Sequence, residues 1–458
     1  MKTSAQKATA KALPGLASRL AAASMIERIV DGHAILEALT HARTGLAAWR
    51  ALGEPDRALA RAIATVALRH RGQITAVLAR LVDRTPPKRA RHLLHSLHAA
   101  AAQILYMDVP DSAAVNLGVA AIAGDSRTVR FSGFANAVLR RMAREKDELV
   151  KIRAKPEQHF TEWLARQLAR DHGRERLGKI TEMITYAPVL DITPHPRLSA
   201  AERDRLCADL GATMLTTGSL RLVDHKPVAS LSGYEEGAWW VQDAAASLPA
   251  RLLGDVTGKE IADLCAAPGG KTMQLAAAGA RVTAVDISRQ RLERLHENLQ
   301  RTALVAEIVE ADILDWQTNR KFDAVMLDAP CSATGTMRRH PDIAWNRTPE
   351  NLGELVELQN RLIAAAAGLV KPGGLVVYAN CSILKAEGED QLARLMRETS
   401  PLVHMPLCGG EFPALGEWIN GQGALRTMPF HLPPAAPDEP QWHGGMDGFF
   451  ACRLRVSS

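Results

Sequence analysis

Aromatic residues are only 4% of this 458-residue chain, so a surface that held nucleic acid by stacking would have few rings to use. No apolar run approaches the roughly 18 residues that span a bilayer, and Met1 to Leu20 carries Lys2, Lys7 and Lys11 without an apolar signal core. The expectation is a soluble, cytoplasmic protein with no membrane contact. The six cysteines, at 207, 265, 331, 381, 408 and 452, include no C-x-x-C pair, which argues for reduced thiols rather than a disulfide framework. Two glycine signatures are also missing. There is no G-x-G-x-x-G of a dinucleotide site, and a P-loop ending at Gly270-Lys271-Thr272 needs a glycine where Cys265 stands.

The positive charge is unevenly placed. Residues 1–150 hold 22 Lys/Arg against 12 Asp/Glu, residues 151–260 hold 15 of each, and the rest hold 19 against 23. A basic front segment suits a phosphate-rich partner. From about Gly15 to Leu149 the apolar spacing is helical throughout, predicting an all-α bundle of six or seven helices over residues 1–150. Its exposed cations fall in clusters: Lys88, Arg89 and Arg91; Arg127 and Arg130; Arg140, Arg141 and Arg144. His92, His95 and His98 recur on one predicted helix without acids nearby in sequence, which reads as a solvated basic face and not as a metal site.

Residues 151–185 read as a helical linker, with Trp163, Leu164 and Leu168 on one face. Residues 186–245 read as a small α/β subdomain, with strands near Val189–Thr193, Leu220–Val223 and Trp239–Val241 around a helix over Ala200–Leu210. Residues 246–458 alternate strand and helix as a doubly wound, Rossmann-like sheet does. In such sheets ligands lie outside the carboxyl ends of the strands. There the sequence places Asp263, Asp286, Asp312 and Asp328, a set that suits a nucleoside cofactor. It also places the glycine turn Cys265 to Lys271, and two cysteines, Cys331 and Cys381, each just after a strand. Cys207, Cys408 and Cys452 read as inert core fillers.

Two resemblances rest on these residues. Ile104 to Pro110, Ala114-Val115-Asn116 and Phe134 to Arg141 resemble the RNA-binding NusB-type helical domain. Asp263 to Thr272, Gln242 to Ala245, Asp328 to Asp342, Asn380 to Leu384 and Asp447 to Phe450 together resemble the RNA cytosine-5 methyltransferases that use S-adenosylmethionine. With the NusB-like front, the nearest group is the bacterial RsmB (Sun/Fmu) type, which modifies 16S ribosomal RNA.

The resemblance implies methylation of cytosine C5, with Cys381 as nucleophile, Cys331 assisting product release and Asp328 beside the reacting base. It implies that Cys265, Ala266, Ala267, Pro268, Gly269, Gly270 and Lys271 wrap the cofactor's methionine moiety, that Asp286 holds its ribose and that Asp312 lies by its adenine. Arg338 and Arg339 join Lys88, Arg89, Arg91, Arg140 and Arg141 as expected RNA contacts. The implied partner is 16S RNA or a small-subunit assembly intermediate, met by a monomer. Transfer RNA as substrate, or a non-catalytic assembly role, are the competing readings. The chain departs from the family pattern at Asn380, where threonine is common, at Lys385, where proline is usual, and at Asp191-Ile192-Thr193, which replaces Arg-Val-Asn.

Overall fold

The computed structural model describes residues 13–82, 90–223, 226–398, 401–411, 413–434 and 436–457. It divides into two compact units, residues 1–185 with 339–348, and residues 186–338 with 349–458.

The first unit is all-α. Its longer helices are α1 (Leu16–Val30), α2 (Glu54–Arg69), α3 (Arg71–Leu81), α4 (Arg91–Tyr106), α5 (Asp111–Gly124), α6 (Ser132–Arg144) and α7 (Glu162–Thr185). Apolar stripes such as Met25, Ile26 and Ile29 on α1 and Ile63, Ala64 and Ala67 on α2 are buried against α4, whose own Leu93, Leu97, Ala100 and Ile104 are buried too. The linker reading of 151–185 needs correcting. Gly173, at φ 82°, splits α7 into two helical arms, and Leu164, Leu168, Leu177 and Ile180 are all buried in this unit's core. Residues 339–348 also belong to this unit: Leu36 N–H donates to Asp342 Oδ2 at 3.0 Å, Trp345 Nε1–H to the Leu68 carbonyl at 2.9 Å, and Asn346 Nδ2–H to the Ala34 carbonyl at 3.0 Å.

The histidines of α4 do not form a solvated face. His92, His95 and His98 are buried. His92 Nδ1 meets Glu27 Oε2 at 2.9 Å and Nε2 meets Asp125 Oδ2 at 3.1 Å, while His95 Nε2 meets Asp31 Oδ2 at 3.0 Å. The acids come from α1 and from the loop after α5, distant in sequence, and the imidazoles fasten those elements together.

The second unit opens with an antiparallel sheet of β1 (Leu190–Pro194), β2 (Thr213–Met214), β3 (Leu220–Leu222) and β4 (Trp239–Val241), in the order β2-β3-β1-β4. Helix α8 (Ala200–Leu210) starts on a Ser199/Glu202 capping box and ends at left-handed Gly211. The larger sheet holds β5 (Glu260–Leu264), β6 (Arg281–Asp286), β7 (Glu307–Glu310), β8 (Phe322–Asp328), β9 (Val370–Asn380), β10 (Leu402–His404), β11 (Leu425–Arg426) and β12 (Phe450–Val456), with helices α9 (Gly270–Ala277), α10 (Arg289–Thr302), α11 (Pro349–Leu369) and α12 (Glu389–Arg397).

Its order is β10-β12-β9-β8-β5-β6-β7, with β11 on β12. The pairs from β9 through β8, β5 and β6 to β7 are parallel, whereas β12 is antiparallel to β9. The central parallel strands β5, β6 and β8 bury both faces, as near-continuous apolar runs such as Val325-Met326-Leu327 require, whereas β7 at the edge is only half-buried. The strand order reverses between β5 and β8, which opens a crevice at their carboxyl ends.

Candidate active site

The glycine turn leaves β5 and enters α9. Cys265 sits at φ 59° and Gly269 at φ 106°, where a Cβ would lie 2.1 Å from Leu295 Cδ1. Glycine at 269 is required both by the left-handed backbone and by the close approach of α10. Ala267 N–H donates to Asp286 Oδ2 at 3.1 Å and Ser288 N–H to Asp286 Oδ1 at 2.9 Å. Asp286 is thus buried as a brace between the β5 and β6 loops. Asp312, past the end of β7, is exposed and accepts from Leu314 N–H at 2.9 Å.

Asp263 lies inside the fold, with Thr272 Oγ–H donating to its Oδ2 at 2.6 Å. Burial pushes its carboxyl up to about 7, against the Thr272 hydrogen bond and the nearby Lys271 charge. It is an internal brace, as Asp286 is, whereas Asp312 is exposed and Asp328 is partly so. Asp328, one-third exposed, accepts from Lys271 Nζ at 2.7 Å, and that ammonium also lies 5.2 Å from the centre of the Phe449 ring.

Register brings the two cysteines together. Asp328 pairs with Ala379 across β8 and β9, and Ala329 N–H donates to the Ala379 carbonyl at 2.8 Å. The next residues of both strands therefore leave the sheet side by side. Cys331 Sγ and Cys381 Sγ stand 3.4 Å apart, both half-buried and both free thiols. The Cys331 thiol is pushed well above its usual value by its hydrogen bond with Cys381, by burial and by the charges of Cys381 and Glu387. Burial, with Asp328 and Asp286 beside it, also pushes the Cys265 thiol up, which leaves Cys265 a neutral part of the turn.

A third segment closes the site. Gly335 N–H donates to the Cys381 carbonyl, and Gly448 N–H donates to the Gly335 carbonyl, each at 2.9 Å. Asn380 does more than replace a threonine. Its amide donates to the Glu387 carbonyl at 2.7 Å and its Oδ1 accepts from Ser382 N–H at 3.0 Å, pinning the residues around Cys381. Sequence reasoning singled out Asn380 only as a departure from threonine and did not connect it with Glu387, Ser332, Thr334 and Ser382.

The expected RNA-facing cations divide. Lys88 and Arg89 lie outside the described residues. Arg91 and Arg140 are exposed, and Arg141 is half-buried and pairs with Glu145 at 2.9 Å. Arg339 is exposed, but Arg338 is not available to a phosphate: it is 2% exposed and donates to the Gly444 carbonyl at 3.0 Å. Burial pushes its guanidinium below the usual value, with the charges of Asp243 and Asp447 working against that. Cys408 is also exposed, against the core reading, whereas Cys452 is buried. Asp191 forms a buried two-pronged pair with Arg221 at 2.7 and 2.7 Å.

Residues 250–455 match the family described as 16S rRNA methyltransferase RsmB/F, and residues 16–144 match the NusB family. The chain is 35% identical over 413 residues to ribosomal RNA small subunit methyltransferase B of Xanthomonas campestris, covering 88% of this chain and 92% of that protein. The chain belongs to the RsmB/F family of ribosomal RNA methyltransferases. The Klebsiella pneumoniae protein of the same description is 33% identical over 396 residues, covering 83% and 90%. The crystal structure titled PH0851 shares the fold at a TM-score of 0.66 and 21% identity, covering 97% of this chain and 99% of that one.

Membership of RsmB/F makes S-adenosylmethionine the methyl donor, and the crevice fits such a group. A turn leads into the amino end of α9, where backbone N–H groups lack helical partners. Asp312 is exposed at the same edge, and Ile287, 67% exposed beside Asp286, offers an apolar face of the kind a flat heterocycle covers. Among the described residues no group of His, Cys, Asp and Glu is arranged to hold a metal ion, and no helix is long and apolar enough to cross a membrane.

Proposed function

We propose that this protein methylates C5 of a cytosine in 16S ribosomal RNA through a covalent bond between Cys381 and C6 of the base. The observation that carries the reading is the pair of free thiols 3.4 Å apart, beside the crevice that holds the Lys271–Asp328 pair. C5 of cytosine is too weak a nucleophile to accept a methyl group directly. Addition of the Cys381 thiolate to C6 pushes the ring electrons toward C5 while N3 takes up a proton.

Asp328, held by the Lys271 ammonium, faces N3 and governs that proton. The bound donor supplies a sulfonium methyl as the electrophile, and the protein supplies placement. Cys265 to Lys271 hold the donor's methionine end, with Asp286 and Asp312 toward its nucleoside. A general base then takes the C5 proton, the C5=C6 double bond re-forms as the C6–S bond breaks, N3 gives its extra proton back by way of Asp328, and Cys331 assists departure of the Cys381 thiolate. The target base must leave its stack, at about a few kcal/mol. Phosphate contacts by exposed cations such as Arg91, Arg140 and Arg339 offset that cost.

The test is a denaturing gel of Cys331→Ala and Cys381→Ala variants incubated with S-adenosylmethionine and unmethylated 16S RNA, beside a methyl-transfer assay. A protein–RNA adduct with Cys331→Ala alone, and an inactive Cys381→Ala, support the assignment. An adduct with Cys381→Ala instead exchanges the roles. Methyl transfer to transfer RNA but to neither naked 16S RNA nor small-subunit intermediates overturns the substrate.

A further inference from the structure

Glu387 is the one fully buried carboxylate of the two-cysteine framework, and the methyl-transfer chemistry above does not use it. Its Oε1 accepts from Ser332 N–H at 2.8 Å and from Gln359 Nε2–H at 3.0 Å, and its Oε2 accepts from Ser332 Oγ–H at 2.5 Å. Both oxygens face neutral donors, the surroundings that a buried charge needs when no cation is bonded to it. The backbone carbonyl of the same residue accepts from Tyr378 O–H and from Asn380 Nδ2–H, each at 2.7 Å. Glu387 thus grips the residue after Cys331 with its side chain and the residue before Cys381 with its main chain. Beneath the sulphurs, Ser332, Thr334 and Ser382 form a ring of hydroxyls with separations of 3.0 to 3.2 Å.

We propose that Glu387 is a positioning residue whose buried negative charge, one residue from Cys331, keeps that thiol protonated and so makes Cys381 the sulphur that ionises. This rests on the covalent reading above and deepens it. Two thiols 3.4 Å apart cannot both ionise cheaply, because the second charge would face the first. What chooses between them is the asymmetry of their surroundings, and the uncompensated carboxylate on the Cys331 side supplies it. The upward push on the Cys331 thiol, in which Glu387 takes part, agrees with the geometry. Other charged and titratable groups nearby are the Lys271–Asp328 pair beside the thiols, Tyr378 on β9, the buried thiol of Cys452, and the Arg426–Glu389 ion pair, whose Arg426 also donates to the Ser382 carbonyl. On release, Cys331 then acts as a hydrogen-bond donor to the departing Cys381 sulphur, not as the base that removes the C5 proton.

The test is site-resolved alkylation of the full-length protein with iodoacetamide across pH 6.5 to 9.5, read at low conversion by peptide mass spectrometry, for the unsubstituted chain, Glu387→Gln and Glu387→Asp. In the unsubstituted chain Cys381 labels at lower pH than Cys331. Glu387→Gln speeds Cys331 labelling at fixed pH by about tenfold, equivalent to about one pKa unit. Glu387→Asp, which keeps the charge but shortens the reach, protects Cys331 better than the isosteric glutamine does, an order that a purely structural role would reverse. Cys331 labelling first in the unsubstituted chain overturns the proposal even if neither variant folds. So does a Cys331 profile that Glu387→Gln leaves unmoved. The assay needs neither RNA nor methyl donor, so the expected labelling without methyl transfer supports the proton assignment and counts only against the proposed activity.

Discussion

Gly335→Ala tests whether the backbone crossing, and not the side chains alone, sets the distance between the two sulphurs. A Cβ at 335 would lie 1.9 Å from the Gly448 carbonyl oxygen, 2.6 Å from its carbon and 2.8 Å from the Cys381 carbonyl oxygen. Real Cβ atoms essentially never come within 3.0 Å of such atoms, so at least one loop must retreat by more than an ångström. All three obstacles are backbone, and no rotamer change relieves them. Gly335 is not in the left-handed region, so the penalty is purely steric. Displacing a catalytic group by about 1 Å costs on the order of 10²-fold in rate, and overpacking costs about 1–3 kcal/mol in stability. Single-turnover methyl transfer to 16S RNA, with urea unfolding alongside, is the measurement. The expected result is a rate loss near that size with a modestly lowered urea midpoint. Gly353→Ala is the control: nothing lies within 4 Å of its Cβ position, which is exposed on α11, and it should gain about 0.8–1 kcal/mol with unchanged activity. A Gly335→Ala protein that transfers methyl groups at the unsubstituted rate would refute the reasoning.

Arg221→Met strips the buried Asp191 carboxylate of its ion-pair partner, leaving the Ala244 N–H at 3.2 Å, and should cost about 3–5 kcal/mol by urea unfolding. Asp191→Leu with Arg221→Met should recover most of that, and an equal loss in single and double variants would sink the idea. The Asp263 carboxyl is raised by burial to about 7 when folded, from 3.8 as its ordinary value. Its favourable contribution is therefore complete below about pH 4 and is lost as pH rises toward about 7. Asp263→Asn should gain stability relative to the unsubstituted chain between pH 5 and 8, and a pH-independent difference would count against a protonated Asp263. Gly269→Ala should weaken S-adenosylhomocysteine binding by calorimetry. Adding Leu295→Ala should restore it only in part, because the 2.1 Å clash goes but the φ of 106° remains.

Local pattern carried the catalytic sheet well, because residue type changes sharply at the strand ends: Asp286-Ile287-Ser288, Asp328-Ala329-Pro330 and Asn380-Cys381-Ser382 each switch from an apolar run to polar or turn-forming residues. It carried β9 less well. Pro372-Gly373-Gly374 reads as a break, yet the strand begins at Val370, which pairs with Phe322 ahead of an irregularity in the ladder. Tertiary pairing overrides the breakers there. Arg338 and Arg339 look alike in sequence, and nothing local tells that one is a buried strut and the other exposed. His92 likewise finds Glu27 and Asp125, 65 and 33 positions away, only in the fold. Glu387 lies two residues before Glu389, where the sequence predicts α12 to start, and its partner Ser332 is 55 residues distant. Most of the polar features that stayed hidden are long-range contacts, which leave no period and no spacing in the chain.

The parallel pairing of β8 with β9 brings the loops after both strands out side by side, and the antiparallel strand β12 adds a third segment that holds them. β12 returns beside β9 with Phe450 opposite Asn380, which sets Gly448 against Gly335 and Phe449 near the Lys271 ammonium. Upstream, Thr427 Oγ–H donates to the Asp447 carbonyl at 2.9 Å and accepts from Phe449 N–H at 2.8 Å, while Asp447 N–H donates to Asp243 Oδ1 at 3.1 Å. The turn is therefore fixed from both the β11 side and the segment after β4. Main-chain atoms make most of these ties, so they fix positions without using the side chains to which the proposed function assigns chemistry. Asp328, Lys271, Cys331 and Cys381 are left at the crevice, each on a backbone that a neighbouring segment holds.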